Sequence, residues 1–215
     1  MEVNTEGISC CFDDESKRML KDYRKEGLDE TSRVISDAMS SRDLSGSSIL
    51  ELGCGIGALS LELLKKGASS VRGMDLSLAM IQVARSLAAE AGVSPMATFD
   101  RGDGAVAALP SSDVVILDKV LCCYPDATSL VDNSSAAARR YYIFSLPNDG
   151  RGLTRFLRLF LPLQAIFSRR NSFRFFIHST RQIEEKLKTK GFAPVSESPV
   201  GWIWSVFVYA APAPP

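Results

Sequence analysis

A carboxylate followed by three glycines, each two residues apart, marks Glu51-Leu-Gly-Cys-Gly-Ile-Gly57 as the segment best suited to chemistry. Without a Cβ, glycine lets the backbone turn sharply and lie against a ligand. The apolar run Ser48-Ile-Leu50 precedes the segment, and Ala58-Leu-Ser-Leu-Glu-Leu-Leu64, spaced like a helix, follows it. A strand, a glycine turn and a helix start together form a cradle for a nucleotide-type cofactor, because the first N–H groups of a helix are unpaired and partly positive. Glu51 narrows the choice: it would repel a pyrophosphate but suits a cationic neighbour such as an ammonium or a sulfonium. Gly53-x-Gly55-x-x-Ala58 also meets the looser dinucleotide pattern, with Asp75 at a suitable distance for a ribose. The turn alone leaves both cofactor classes open.

Other reactive groups are sparse. His178 is the single histidine in the chain, within Phe175-Phe-Ile-His-Ser179. It reads either as a general base near neutral pH or as a structural residue beside a helix start. Tyr124 reads either as a hydroxyl that orients an acceptor or as an aromatic packed beside Pro125. The cysteines include two adjacent pairs, Cys10-Cys11 and Cys122-Cys123, a poor spacing for zinc. They read as reduced thiols, with one of Cys122 and Cys123 near the site, and no metal is expected.

These groups need elements to position them. Polar residues 1–9 read as loose, followed by short helical patterns over 15–25 and 31–39. From there strands and helices alternate. Strands are expected over 47–52, 71–75, 96–100, 113–117 and 141–145, then 192–197 and 202–209. Helices are expected from Ala58 to Gly67, from the cap Ser77 to Gly92, and from a capping box Ser179-Thr-Arg-Gln182 to Gly191. The N-terminal helix with Tyr23-Arg24-Lys25 reads either as a lid or, by preference, as an ordinary packing helix. Strand–helix alternation predicts an α/β, doubly wound Rossmann-like sheet, with residues 1–44 a helical segment before a domain over 45–215. The stretch 147–178 is longer than a plain connection needs, and reads as a cap insertion on the substrate side. It carries Arg151, Arg155, Arg158, Arg169, Arg170 and Arg174, with apolar residues such as Phe156 and Phe160 opposite the first three. A solvated helix, a lid over an apolar anionic substrate, and a surface for peripheral membrane contact over 151–170 are the three readings.

Composition sets outer bounds. Twenty-five basic and twenty-five acidic side chains cancel, so no global field draws nucleic acid. No uninterrupted apolar run is long enough to span a bilayer, and the N-terminus lacks a signal pattern, so a cytoplasmic location is expected.

Read as a set, the expected strand ends carry Glu51-x-Gly53-x-Gly55-x-Gly57, Asp75, Gly102-Asp103-Gly104 and Asp118-Lys119. In this order they resemble the class I S-adenosylmethionine-dependent methyltransferases over about residues 45–210. The resemblance implies a seven-stranded sheet whose last strand is antiparallel, with S-adenosyl-L-methionine as cofactor and a small-molecule acceptor as substrate. It places Gly53, Gly55 and Gly57 along the methionine and ribose, with Glu51 near them, and Asp75 on the ribose. Leu76 and Met80 would flank the adenine, Asp103 with Gly104 would meet its edge, and Asp118 would adjoin the methionine moiety. A short-chain dehydrogenase would need Tyr-x-x-x-Lys, and no tyrosine has lysine four residues on. More narrowly, Tyr124-Pro125 and Ala138-Arg-Arg-Tyr-Tyr-Ile-Phe-Ser-Leu-Pro147 are similar to the magnesium-protoporphyrin O-methyltransferase group. That likeness favours oxygen as the acceptor atom, although Trp202-Ile-Trp204 departs from the group. A different class, a cofactor-binding partner protein without turnover, shares the same strand ends.

Overall fold

The computed structural model describes residues 6–148 and 175–212. Its strands are β1 (Ser48–Leu52), β2 (Ser70–Asp75), β3 (Ala97–Arg101), β4 (Ser112–Leu117), β5 (Ala138–Pro147), β6 (Ala193–Val200) and β7 (Trp204–Ala210). They form one seven-stranded sheet in the order β3-β2-β1-β4-β5-β7-β6. β1 to β5 pair in parallel, and β7 runs antiparallel to both β5 and β6. The expected doubly wound sheet with an antiparallel last strand is therefore present.

Side-chain alternation along the strands explains the two layers. Ile49, Val71, Val114, Ile116 and Ile143 face a core closed by α2 (Glu30–Ser40), α3 (Ala58–Lys65) and α4 (Leu78–Glu90). Leu50, Leu52, Val115, Leu117, Tyr142 and Phe144 face the opposite core, under α5 (Ala127–Ala136) and α6 (Thr180–Thr189). β1 is the reversal point, with β2 on one side and β4 on the other. In such sheets the crevice outside the strand ends at that point is where ligands bind.

Several expectations are corrected. The first helix, α1, runs from Glu6 to Glu26, so residues 6–9 are helical. Phe12, Met19, Leu20 and Tyr23 give it an apolar stripe that packs on the α2/α3/α4 core, a tertiary contact invisible in the polar composition of its start. α5 was not foreseen, because Ser and Asn dilute its apolar periodicity; Asp126 caps it by accepting from the Ser129 N–H at 3.0 Å. The Ser179 side chain makes no capping bond, and the α6 turn instead closes through the Ser179 carbonyl and the Ile183 N–H. Trp202 and Ile203 lie in the turn before β7, where Gly201 takes φ +56, and Trp202 is 86% exposed. Arg151, Arg155, Arg158, Arg169, Arg170 and Arg174, and with them the segment 151–170, lie outside the described residues. Among the described residues no helix is long and apolar enough to cross a membrane.

The glycine turn divides its labour. A Cβ on Gly55 would meet only the Met19 Cε, at 3.5 Å, whereas one on Gly57 would sit 2.7 Å from the Phe99 ring and 3.1 Å from Ala84. Both residues have positive φ, +52 and +74. We expect Gly55→Ala to cost only the left-handed backbone term, about 1–2 kcal/mol. Gly57→Ala should add an overpacking term of about 1–3 kcal/mol. Denaturant unfolding of the two variants should show Gly57→Ala as the less stable.

Candidate cofactor cleft

β1 delivers Glu51 to the α3 side of the sheet, where it is only 4% exposed and accepts a hydrogen bond from Ser60 Oγ at 2.5 Å. Burial pushes its pKa up to about 8; the Ser60 bond opposes the rise, and the nearby Asp118 and Asp75 charges add to it. At neutral pH Glu51 is thus mostly protonated.

Asp75, at the end of β2, closes the glycine turn. Its Oδ2 accepts from the Gly55 N–H and its Oδ1 from the Ser77 N–H, both at 2.8 Å. Burial raises its pKa, while those two N–H donors pull it back. Asp118, just after β4, accepts from Ser32 Oγ at 2.7 Å and Thr31 Oγ1 at 3.1 Å through one oxygen, and from Ser145 Oγ at 2.7 Å through the other. Burial raises its pKa too, against the opposing charge of Lys119.

Lys119 is the one non-glycine among the described residues with positive φ, 57°. Such a conformation costs about 1–2 kcal/mol. Ser145 Oγ, accepting from the Lys119 N–H at 2.7 Å, and Asp29, paired with its Nζ at 2.5 Å, hold it there. Asp29 is itself kept below the ordinary carboxylate range: burial works against ionisation, but the Lys119 charge and hydrogen bond outweigh it, aided by Ser32 and Thr31.

These groups surround two adjoining cavities. The first, about 150 Å³, is a mainly apolar slot between Leu52, Met74, Leu76 and Met80 that also reaches Asp75, Asp103 and Gly104. The second, about 390 Å³, is richer in polar and charged groups than the first and includes Asp29, Ser32, Arg33 and Glu51. Met19, Gly53, Gly55, Asp118 and Lys119 line both. Phe12 and Met19 bring α1 over the slot. Asp13 anchors that helix by accepting from Ser77 Oγ at 2.5 Å and the Ala79 N–H at 3.1 Å, at the start of α4. α1 therefore roofs the cleft rather than only packing against its neighbours.

The sequence-predicted residues divide accordingly. Gly53, Gly55, Asp75, Leu76, Met80, Asp103, Gly104, Asp118 and Tyr124 converge on the slot, and Glu51 on the second cavity. Gly57 does not join them: its Cα faces Phe99 and Ala84, so it serves the packing of α3 on the sheet. Asp103 is occupied on both oxygens, by the Ala105 N–H at 2.9 Å and the Tyr124 hydroxyl at 2.9 Å. Burial and that bond to Asp103 raise the Tyr124 phenol above its ordinary range, which keeps it a donor rather than a base. His178 lines neither cavity; its Nε2 lies 2.9 Å from the Tyr124 carbonyl. A carbonyl only accepts, so Nε2 carries the proton and Nδ1 is the nitrogen left for acid–base work. Residues the sequence reading missed are Phe12, Asp13 and Met19 of α1, Asp29, Thr31 and Ser32 at the start of α2, and Asn133. Asn133 fixes the 102–107 loop by donating to the carbonyls of Gly104 and Ala107. The one local signal among them was Asp29-x-x-Ser32, an N-cap pattern. Among the described residues no group of three or more His, Cys, Asp or Glu could hold a metal ion.

Comparison with known proteins places this geometry. Residues 49–140 match the family described as a methyltransferase domain. Over 76 residues the chain is 33% identical to ribosomal protein L11 methyltransferase of Deinococcus radiodurans, covering 35% of this chain and 28% of that protein. The same enzyme of Photobacterium profundum is 37% identical over 68 residues, covering 32% and 23%. The matched regions thus span about a quarter of those relatives' length. Among solved structures, magnesium protoporphyrin IX methyltransferase from Synechocystis PCC 6803 with bound S-adenosylhomocysteine superposes with a TM-score of 0.74, at 22% identity, over 95% of this chain and 99% of that one. The [4+2]-cyclase SpnF superposes with a TM-score of 0.65, at 15% identity, over 85% and 81%. The fold is that of the class I S-adenosylmethionine-dependent methyltransferases, and the resemblance carried by the strand ends holds, with the narrower likeness to the magnesium-protoporphyrin enzymes present in the fold.

Glu51 makes stability depend on pH with a definite sign. Its folded pKa, about 8, lies above the ordinary 4.5, so the folded state holds a proton that the unfolded chain has lost between those values. Stability should therefore fall as pH rises from about 5 to 8, by at most about 1.4 kcal/mol per unit from this group. Glu51→Gln, which keeps an acceptor for Ser60, should remove that slope in unfolding measured across the range.

Proposed function

We propose that this chain is a methyltransferase that uses S-adenosyl-L-methionine to methylate a small or medium, apolar acceptor, with oxygen as the acceptor atom. The observation that carries this reading is the pairing of an apolar slot with a carboxylate-rich cavity across the glycine turn of β1. The cofactor would supply an electrophilic methyl on a sulfonium, open to in-line displacement.

The chain's residues divide that task. Leu76 and Met80 would grip the adenine, with Asp103 and the Gly104 backbone at its edge. Asp75, already oriented by two backbone donors, would accept from the ribose hydroxyls. Gly55 leaves room for the chain of the ligand, whereas Gly53 admits the Val120 side chain, 2.3 Å from where its Cβ would lie, and Glu51 and Asp118 would offer oxygens to the cationic groups. Burying a cation beside Glu51 would drive off the Glu51 proton. Positioning supplies most of the rate in such a displacement. Tyr124, its proton committed to Asp103, presents oxygen lone pairs rather than a base, and His178, which lines neither cavity, would take a proton through Nδ1 from an acceptor that reaches beyond them. The oxygen preference draws on the magnesium-protoporphyrin likeness, which also suggests a flat, greasy acceptor.

Incubation with methyl-labelled S-adenosylmethionine and fractions of a cell extract tests turnover. We expect label in an organic-soluble acceptor and its release as a methyl ester or ether. Asp75→Ala should weaken cofactor binding by about 1–3 kcal/mol through unpaired ribose hydroxyls, while His178→Ala should lower kcat and spare cofactor affinity. A protein that binds the cofactor yet labels nothing would be the partner protein without turnover instead.

A further inference from the structure

Cys122 and Cys123 have no part in the function proposed above. They end the short turn 121–123 that follows β4, and the geometry there is unusual for neighbouring residues. Their Sγ atoms lie 3.6 Å apart. Each thiol also donates to the same acceptor, the Lys119 carbonyl, at 3.3 Å. One shared acceptor turns both sulfurs to one side, and that acceptor belongs to the residue held at φ 57. Cys123 is partly exposed and lines the apolar slot beside Lys119 and Tyr124, whereas Cys122 is buried at 1% exposure.

Paired thiols can close on each other, hold a metal, or be bridged by a soft atom. A disulfide prefers Cα atoms about 4.4–6.8 Å apart. Consecutive Cα atoms across a trans peptide are about 3.8 Å apart, so closure would twist the turn. A structural metal ion would take four protein ligands, and none of the described residues completes such a set. A bridging centre that needs only two sulfurs and brings its own third substituent fits without either demand. Monosubstituted trivalent arsenicals have that valence.

We propose that Cys122 and Cys123 form a vicinal-dithiol site for monosubstituted trivalent arsenicals, and that its occupation obstructs the adjoining cleft. In the condensation with an arsenous oxide, two As–S bonds form and the As–O bonds break. The two thiol protons leave with that oxygen as water, and no atom changes oxidation state. Holding both sulfurs on one side makes the second bond intramolecular, which gives the pair its advantage over the other thiols.

The probe is phenylarsine oxide added to the full chain. Intact mass should show one phenylarsenic adduct that survives excess mercaptoethanol and is removed by dimercaptopropanol. Peptide mapping should place it on Cys122 and Cys123. Cys122→Ser and Cys123→Ser should each weaken capture by about 100-fold, the size of a lost chelate. Cys123→Ala, at the partly exposed position, provides a second variant if the buried Cys122 change disturbs folding. Obstruction of the cleft rests on the cofactor reading, and S-adenosylhomocysteine should slow adduct formation. Should the protein bind no S-adenosylhomocysteine, the mass adduct would still form, so the two ideas fail separately. An adduct mapped to Cys10 and Cys11 or to Cys54 would overturn the proposal. So would wild-type capture by both Cys123 variants, or loss of two hydrogens in place of an adduct.

Discussion

Three carboxylates buried at the ends of adjacent strands set the terms for the rest of this structure. Glu51, Asp75 and Asp118 lie at the carboxyl ends of β1, β2 and β4, and burial raises the pKa of each. Unpaired, such charges would be severely destabilising. The chain meets each one differently. Glu51 keeps a proton and a Ser60 bond, Asp75 takes two backbone N–H donors, and Asp118 takes the Ser32 and Ser145 hydroxyls and shares that of Thr31 with Asp29. Satisfying them fixes the glycine turn, the start of α2, the position of α3 and the facing residue of β5.

The N-terminal helices follow from the same constraint. Ser32 lines the cleft and donates to Asp118, and Asp29 holds Lys119 in a backbone conformation that few non-glycine residues adopt. Asp13 ties α1 to the start of α4, so the helix that roofs the slot is bonded to the segment directly after Asp75. Ile35, Met39 and Leu44 belong to the same core as the sheet.

What the sequence disclosed was local. Strands announced themselves by apolar runs and glycines, and the cofactor turn by its own spacing. Asp75, Asp103 and Asp118 could be placed because each lies at the end of a strand or within two residues after one. What stayed hidden was long-range. No spacing rule joins Tyr124 to Asp103, His178 to the Tyr124 carbonyl, or Asp13 to Ser77, since each bond spans more than a dozen residues. Gly57 misled for a related reason: its place in the motif says that a Cβ is not tolerated, but not that Phe99 is the cause. α5 was lost to its serines, two of which turn inward; Ser134 shares a hydrogen bond of 2.8 Å with the Tyr142 hydroxyl.

The central claim is that the buried carboxylates receive a cationic cofactor and that Glu51 loses its proton when they do. Titration calorimetry with S-adenosylmethionine at pH 7, in two buffers of different ionisation enthalpy, counts that proton. The account predicts binding with release of close to one proton by the wild type, and binding without release by Glu51→Gln. Binding of NAD in place of S-adenosylmethionine, or wild-type binding with no proton released, would contradict it.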